Sequence, residues 1–315
     1  MTVAYLGGIA ARSERFMRDH WARAKGFTDD AALLASARTE EAAHVADQRA
    51  AGLDLLSPAL TRWEDLLRPL CDGKGVAVGA LTRYFETNTF YRQPTITGPP
   101  APPTGWDAAF QLPRDTPWVL TLPSPWDAAV RSRDERNTKP AALALEIAAA
   151  LRPVVDAAVE RGAQLIRFHD PSILYRRAGL RDAAALAESL GVAARGHERV
   201  CTLHLTNGDP YAFPDVLQGN PLGGLSIEDA GRSPPAGLRL ANGTRLSLAI
   251  VRGGDSLVED PAALARRARD LAGSLGLEAW GLTNGWDLDH VPHAIAQRKV
   301  AALGKARLLL KEVTA

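Results

Sequence analysis

Gln164-Leu-Ile-Arg-Phe-His-Asp-Pro-Ser172 reads as a short buried strand that stops at a cluster of polar groups. Leu165 and Ile166 supply the apolar run, and His169 and Asp170 sit where it ends. Pro171 cannot continue a hydrogen-bonded ladder. A helix precedes it: Leu143, Ile147, Leu151, Val154, Val155 and Ala158 recur at helical spacing over residues 141–161. Pro153 predicts a kink within that helix, and Gly162 is placed to cap it in the left-handed region. The unit is helix, tight turn, strand, then chemistry at the strand's C-terminal end. Parallel α/β folds bind their ligands at that end.

The same unit recurs along the chain. Apolar runs at residues 3–9, 53–56, 118–122, 164–170, 200–205, 225–227, 246–251 and 278–282 are predicted strands, each ending in polar residues. Helices are predicted over residues 29–51, 63–70, 182–190 and 293–311, with Gly191 closing the third. Asp260 and Pro261 open another, as cap and first-turn proline, that runs to about Leu275. Residues 76–97 read as a hairpin, and the Pro-rich residues 98–104 as a surface loop. Eight strands, most followed by a helix, predict a single-domain (β/α)8 TIM barrel over residues 1–315. A β-rich and Pro-rich insertion follows strand two, with residues 76–117 over the mouth or side. A doubly wound sheet is the competitor, but Leu6-Gly7-Gly8-Ile9 lacks the phosphate-binding GxGxxG spacing.

A net charge of +1 over 315 residues gives no electrostatic case for nucleic acid or an anionic membrane as partner. Two cysteines, Cys71 and Cys201, make no disulfide framework, which suits a reducing cytoplasm. No apolar stretch is long enough for a bilayer, and no leader-like basic-then-apolar segment opens the sequence.

A barrel aims its strand ends into one mouth. That gathers Arg12, Ser57, Pro123, His169, Asp170, His204, Thr206, Glu228, Asp255, Ser256 and Asn284. Histidines and carboxylates together suit acid–base work or metal binding. Each also has a plain structural counterpart. A strand histidine can simply be hydrogen-bonded, and an Asp beside Pro171 or beside Gly253-Gly254 can simply make a turn. Recurrence at successive strand ends favours function. Residues 287–293, with His290 and His293, read as a polar cap for the last helix rather than a metal site. Arg176, Arg177 and Arg181 read as a solvated loop rather than a grip for an acidic substrate.

At these residues the chain resembles the C-terminal catalytic barrel of cobalamin-independent methionine synthase, over nearly its whole length. The resemblance rests on Leu6-Gly7-Gly8 with Arg12, Gly52-Leu-Asp-Leu-Leu56, Arg92-Gln-Pro-Thr-Ile-Thr-Gly98 and Leu120-Thr-Leu-Pro123. It rests above all on Glu146 to Arg152 continuing through Arg161-Gly162 to His169-Asp170-Pro171-Ser172. It implies a (β/α)8 barrel that moves a methyl group from methyltetrahydrofolate to the sulfur of homocysteine on zinc. The implied zinc set of His, Cys, Glu and Cys falls on His204, Thr206, Glu228 and the residues around Asn284. Both thiolates are therefore missing. The family's ammonium-binding Asp falls on His169, and its catalytic His on Asp255, before Ser256.

The expectation is a zinc-independent methyltransferase-like enzyme with a reduced folate, 5-methyltetrahydrofolate, as co-substrate. Its acceptor is a small thiol or amino-acid-like molecule. His169 and Asp255 would be the acid–base pair, with Asp170 orienting His169. Arg12, His204, Thr206, Glu228, Ser256 and Asn284 would bind substrate. An iron or manganese enzyme using His169, His204, Glu228 and Asp255 is one alternative. A non-catalytic folate-, amino-acid- or partner-binding homologue is another. A monomer or weak homodimer is expected.

Overall fold

The computed structural model describes residues 2–312 apart from 113–114, 176–178, 230, 236–237, 239, 241–242 and 278. β1 (Thr2–Ala4), α1 (Glu14–Ala24) and α2 (Asp30–Ala50) open the chain. β2 (Val76–Arg83) and β3 (Phe90–Ile96) lead into β4 (Trp118–Pro123), α3 (Pro125–Arg131), β5 (Arg133–Asp134), α4 (Pro140–Glu160) and β6 (Ala163–Asp170). Then come α5 (Ser172–Tyr175), α6 (Leu180–Ala193), β7 (Cys201–Leu205), α7 (Pro214–Gln218), β8 (Gly224–Glu228) and β9 (Arg245–Val251). α8 (Pro261–Ser274), β10 (Trp280–Asn284) and α9 (His293–Glu312) complete it.

Seven strands pair in parallel in the order β1-β10-β9-β8-β7-β6-β4. Apart from β1, the order follows the chain without reversing, unlike a doubly wound sheet, whose order turns back at a switch point. Every residue of β4 and β7 is buried, as expected of strands covered on both faces. The α4 residues at helical spacing, Leu143, Ile147, Leu151 and Val154, pack into the same apolar cluster as β6. The register aligns Arg167 with Thr121 and Thr202, and His169 with Pro123 and His204. It continues through Ser226 and Ser247. Side chains alternate along a strand, so Leu165, Arg167 and His169 share the concave face. Ile166, Phe168 and Asp170 face the helices.

Several expectations are corrected. Residues 53–56 form no ladder. Parallel bridges join Tyr5 to Leu55 and Leu56 to Trp118, between the two edge strands of the sheet. Pro58 has no N–H with which to extend that pairing. Residues 63–70 are turns ending in a short 3-10 helix, Arg68–Asp72, rather than an α-helix. α6 runs through Gly191 to Ala193, and the last strand lies two residues later than expected. Arg176 and Arg177 lie outside the described residues. The 76–97 hairpin is present as β2 and β3, which with β5 make a separate small sheet. No described helix is long and apolar enough to cross a membrane.

Two glycines give opposite expectations. A Cβ at Gly304 in α9 would lie 2.0 Å from the Ala51 carbonyl oxygen at the end of α2. Gly304→Val should therefore cost roughly 2 kcal/mol or more by overpacking. Gly191, inside α6 with no atom within 4 Å of an added Cβ, should gain about 0.5–1 kcal/mol as Gly191→Ala. Urea titrations of the two variants check both signs.

Candidate functional site

The strand register stacks polar side chains on the concave face. Arg167 is fully buried there. Its Nη1 donates to Thr283 Oγ1 at 3.2 Å and to the Asn284 carbonyl at 3.3 Å. Its Nε and Nη2 have no partner among the described residues. A Cβ on Gly7 would lie 2.7 Å from its guanidinium carbon, so that glycine makes the room. Burial, and then the Arg167 charge, hold His169 and His204 well below the ordinary imidazole pKa. Both rings are neutral at pH 7.

His204 Nε2 faces the Gly285 carbonyl at 2.7 Å. A carbonyl only accepts, so Nε2 carries the proton, and Nδ1 accepts from Ser226 Oγ at 2.8 Å. The His169 ring centre lies 4.9 Å from that of His204. His169 Nε2 bonds Thr206 Oγ1 at 2.8 Å. Its Nδ1 has no hydrogen-bond partner among the described residues and lies 3.9 Å from Asp287 Oδ1, which also has none among them.

Above this row lies a cavity of about 250 Å³, lined among others by Arg12, Tyr84, Arg131, Asp287, Asp289 and His290. Tyr84 stands between β2 and β3 and packs edge-on against Trp286 at 5.6 Å, so the hairpin roofs the strand ends. Arg131 forms a forked ion pair with Asp127 and sits 4.9 Å above both the Tyr84 and Tyr91 rings. Arg131 Nη1, Asp287 Oδ1 and Asp289 Oδ1 are buried without a hydrogen-bond partner among the described residues, with His290 Nε2 3.8 Å from Asp289 Oδ1. Asp287 is pushed up to about 8, by burial first and then by the neighbouring Asp289. Burial raises Asp289 as well. Gly8, at φ +85°, admits this carboxylate, because a Cβ there would lie 1.8 Å from Asp287 Oδ1.

The predicted residues separate into three groups. His169, His204 and Thr206 come together, and Arg12 lines the cavity with Asp289 at 3.9 Å. Glu228 and Asn284 shape the rim. Glu228 Oε2 accepts from Asn207 N and Trp286 Nε1, and Asn284 bonds Gly7 N and O. Asp255, Ser256 and Asp170 are elsewhere. Asp255 lies in a half-exposed loop, paired with Arg252 at 3.2 Å and accepting from Leu257 N, and Ser256 beside it is exposed. The structure therefore does not bring Asp255 to His169. With no carboxylate of Asp255 beside it, His169 is held low by burial first and then by the Arg167, Arg131 and His290 charges. Asp170 is on the wrong face to orient His169. It accepts from Ser124 Oγ and from the Ser172 and Ile173 amides, and burial beside Asp127 raises it to about 7.

The sequence reading missed Arg131, Arg167, Asp287 and Asp289. Arg167 was legible by alternation, two residues before His169. Asp287 was read as the start of the last helix, but it precedes a separate 3-10 turn, Leu288–His290.

The donor set does not fit zinc. His204 gives its Nε2 proton to a carbonyl, Glu228 Oε2 already takes two N–H groups, and Thr206 and Asn284 are poor ligands. The iron or manganese set is not assembled either, since Asp255 is apart. Among the described residues, no group of three or more His, Cys, Asp or Glu is placed to hold a metal.

No protein-family model matches the chain, nor does any curated protein. Solved structures do. The chain is similar to a B12-independent methionine synthase from Shewanella sp. W3-18-1, determined in complex with selenomethionine. That match has a TM-score of 0.81 and 16% identity, over 99% of this chain and 98% of that one. A putative vitamin-B12 independent methionine synthase from Listeria monocytogenes matches at TM-score 0.77 and 16% identity, over 99% of each chain. A methyltransferase from Methanosarcina mazei matches at 0.56 and 16%, over 100% of this chain and 95% of that one. At this identity the likeness is one of fold.

Asp287 has a calculable stability signature. Its folded pKa lies above its unfolded value, so between about pH 4 and about pH 8 the unfolded chain holds fewer protons. Stability attributable to this group is present in acid and is lost as pH rises through that window. Asp287→Asn removes the dependence. The variant's Tm should exceed the parent's, and by more at pH 8 than at pH 5. Parallel Tm–pH curves would show that Asp287 is not held protonated.

Proposed function

We propose that the protein transfers a methyl group from a reduced folate to a small zwitterionic, amino-acid-like acceptor, without zinc. The observation that carries this is the set of unpartnered atoms in the mouth cavity. An Arg131 N–H and carboxylate oxygens of Asp287 and Asp289 border one space. A zwitterion supplies the complement: its carboxylate meets Arg131 and Arg12, and its ammonium meets the two aspartates. The folds of the methionine synthases and the methyltransferase above support the reaction class. In this reading residues 53–56 are the eighth stave of a closed (β/α)8 ring. Residues 76–117 are an insertion covering its mouth, and residues 1–315 are one domain.

In the transfer, the acceptor's nucleophilic atom forms a bond to the methyl carbon. The bond from that carbon to the folate nitrogen breaks, and its electron pair stays on nitrogen, which takes up a proton. The acceptor must lose one. Asp287 is placed to receive it in its ionised form, the form that an ammonium bound between it and Asp289 favours over the protonated carboxyl of the empty cavity. Neutral His169 stands behind Asp287, its Nδ1 3.9 Å from Asp287 Oδ1. Glu228 and Asn284 fix the rim rather than react.

A methyl-transfer assay from 5-methyltetrahydrofolate across a panel of amino-acid acceptors, in chelator-treated protein, tests this. Turnover should persist without metal, and homocysteine should be a poor acceptor. Asp287→Asn should cut turnover roughly 100-fold, Asp289→Asn should raise the acceptor's KM, and Asp255→Asn should leave both unchanged. Activity that needs added zinc, or damage confined to Asp255→Asn, would refute the assignment.

A further inference from the structure

A second recess lies at the opposite, N-terminal end of the strands, with a volume of about 260 Å³. Val3, Leu55 and Leu165 give it apolar walls, Tyr5 and Ser247 form its inner end, and Arg245 stands at its rim. Parallel strand rings usually fill this layer with branched aliphatic side chains. Here β8 and β10 supply glycine instead. A Cβ on Gly224 would lie 2.6 Å from Thr202 Oγ1, and one on Gly281 would lie 2.6 Å from Ser247 Oγ. The recess exists because these two glycines project no side chain into it, and close contacts to Thr202 and Ser247 keep them glycine.

It is also wired to the mouth. Tyr5 Oη donates to Ser247 Oγ at 2.8 Å, and Ser247 lies beside Ser226 in the strand register. Ser226 Oγ donates to His204 Nδ1 at 2.8 Å, and the His204 ring lies 4.9 Å from that of His169. One row of adjoining polar side chains, Tyr5, Ser247, Ser226 and His204, therefore crosses the concave face from the recess to the strand-end histidines.

The chemistry of the recess selects a ligand class. A dry aliphatic cavity of about 150 Å³ accommodates benzene, so this one has room for a ring and one substituent. Arg245 is exposed at the rim and donates to the Arg199 carbonyl, with no ion-pair partner among the described residues. We propose that this recess is a second binding site, for a small aromatic monocarboxylate whose ring lies against Leu165 and whose carboxylate meets Arg245. Its occupancy reaches His204 along Tyr5, Ser247 and Ser226.

Calorimetric titration of the full-length protein with benzoate tests the site. Saturable binding of one benzoate per chain is expected, weakened at least tenfold in Arg245→Gln and abolished in Leu165→Trp, which fills the recess. Benzyl alcohol, the uncharged counterpart, should bind at least tenfold more weakly. Benzoate should also move the ¹⁵Nδ1 resonance of His204, and Ser226→Ala should bind benzoate without that movement. No saturable binding to the parent protein, or unchanged affinity in both Arg245→Gln and Leu165→Trp, would overturn the site. A His204 resonance indifferent to benzoate would overturn the link to the mouth.

Discussion

A guanidinium buried beneath the strand ends, held by one hydroxyl and one backbone carbonyl and facing no carboxylate at ion-pair distance among the described residues, governs the chemistry around it. Removing an ion from water costs several kcal/mol even after relaxation, so Arg167 is an expensive residue to keep. Its field falls on everything nearby. It helps hold His169 and His204 neutral, and it acts against the burial that raises Asp287. Gly7 and Gly8 are shaped around this arrangement, since a side chain at either would collide with Arg167 or with Asp287.

Two regimes of packing meet along each inner strand. Ile166 and Phe168 face α4 and α3 and build ordinary apolar core, whereas Arg167 and His169, one residue out of phase, build a polar column. A strand that must satisfy both cannot slip by one residue without burying charge among the helices. The polar column therefore constrains register as strongly as the core does. It leaves unpartnered donors and acceptors at the mouth, where a ligand or ordered water can complete them.

Much of the fold was legible from periodicity. The runs at 118–122 and 246–251 and the helix around Leu143 to Ala158 lie where their apolar spacing put them. Residues 63–70 were misread because Pro69 and a mixed pattern suit turns as well as a helix. Gly191 was misread because a glycine near a helix end looks the same whether it caps or continues. The site was less legible. Strand-end position found His169, His204, Thr206 and Arg12, but it could not tell Asp255, on a loop that folds back onto Arg252 and Lys299, from Asp287, on a loop that folds inward. Loop direction is set by long-range contacts, here Gly253 against the Trp286 carbonyl and Gly8 against Asp287. No local pattern encodes those contacts.

The seam at residues 53–56 carries one more implication. Elsewhere the parallel sheet is zipped by ladders of three to six residue pairs, but among the described residues two single bridges, Tyr5–Leu55 and Leu56–Trp118, with a few hydrogen bonds around Asp54 and Leu56, join this stretch to its neighbours. The Asp54 ion pair to Arg307 on α9 reinforces this stretch from outside. A cooperative structure opens first where the fewest bonds must break at once. Under mechanical tension or transient breathing, the molecule has a built-in zipper end: β1 and β4 can part there while the ladders running from β4 through β10 to β1 stay shut.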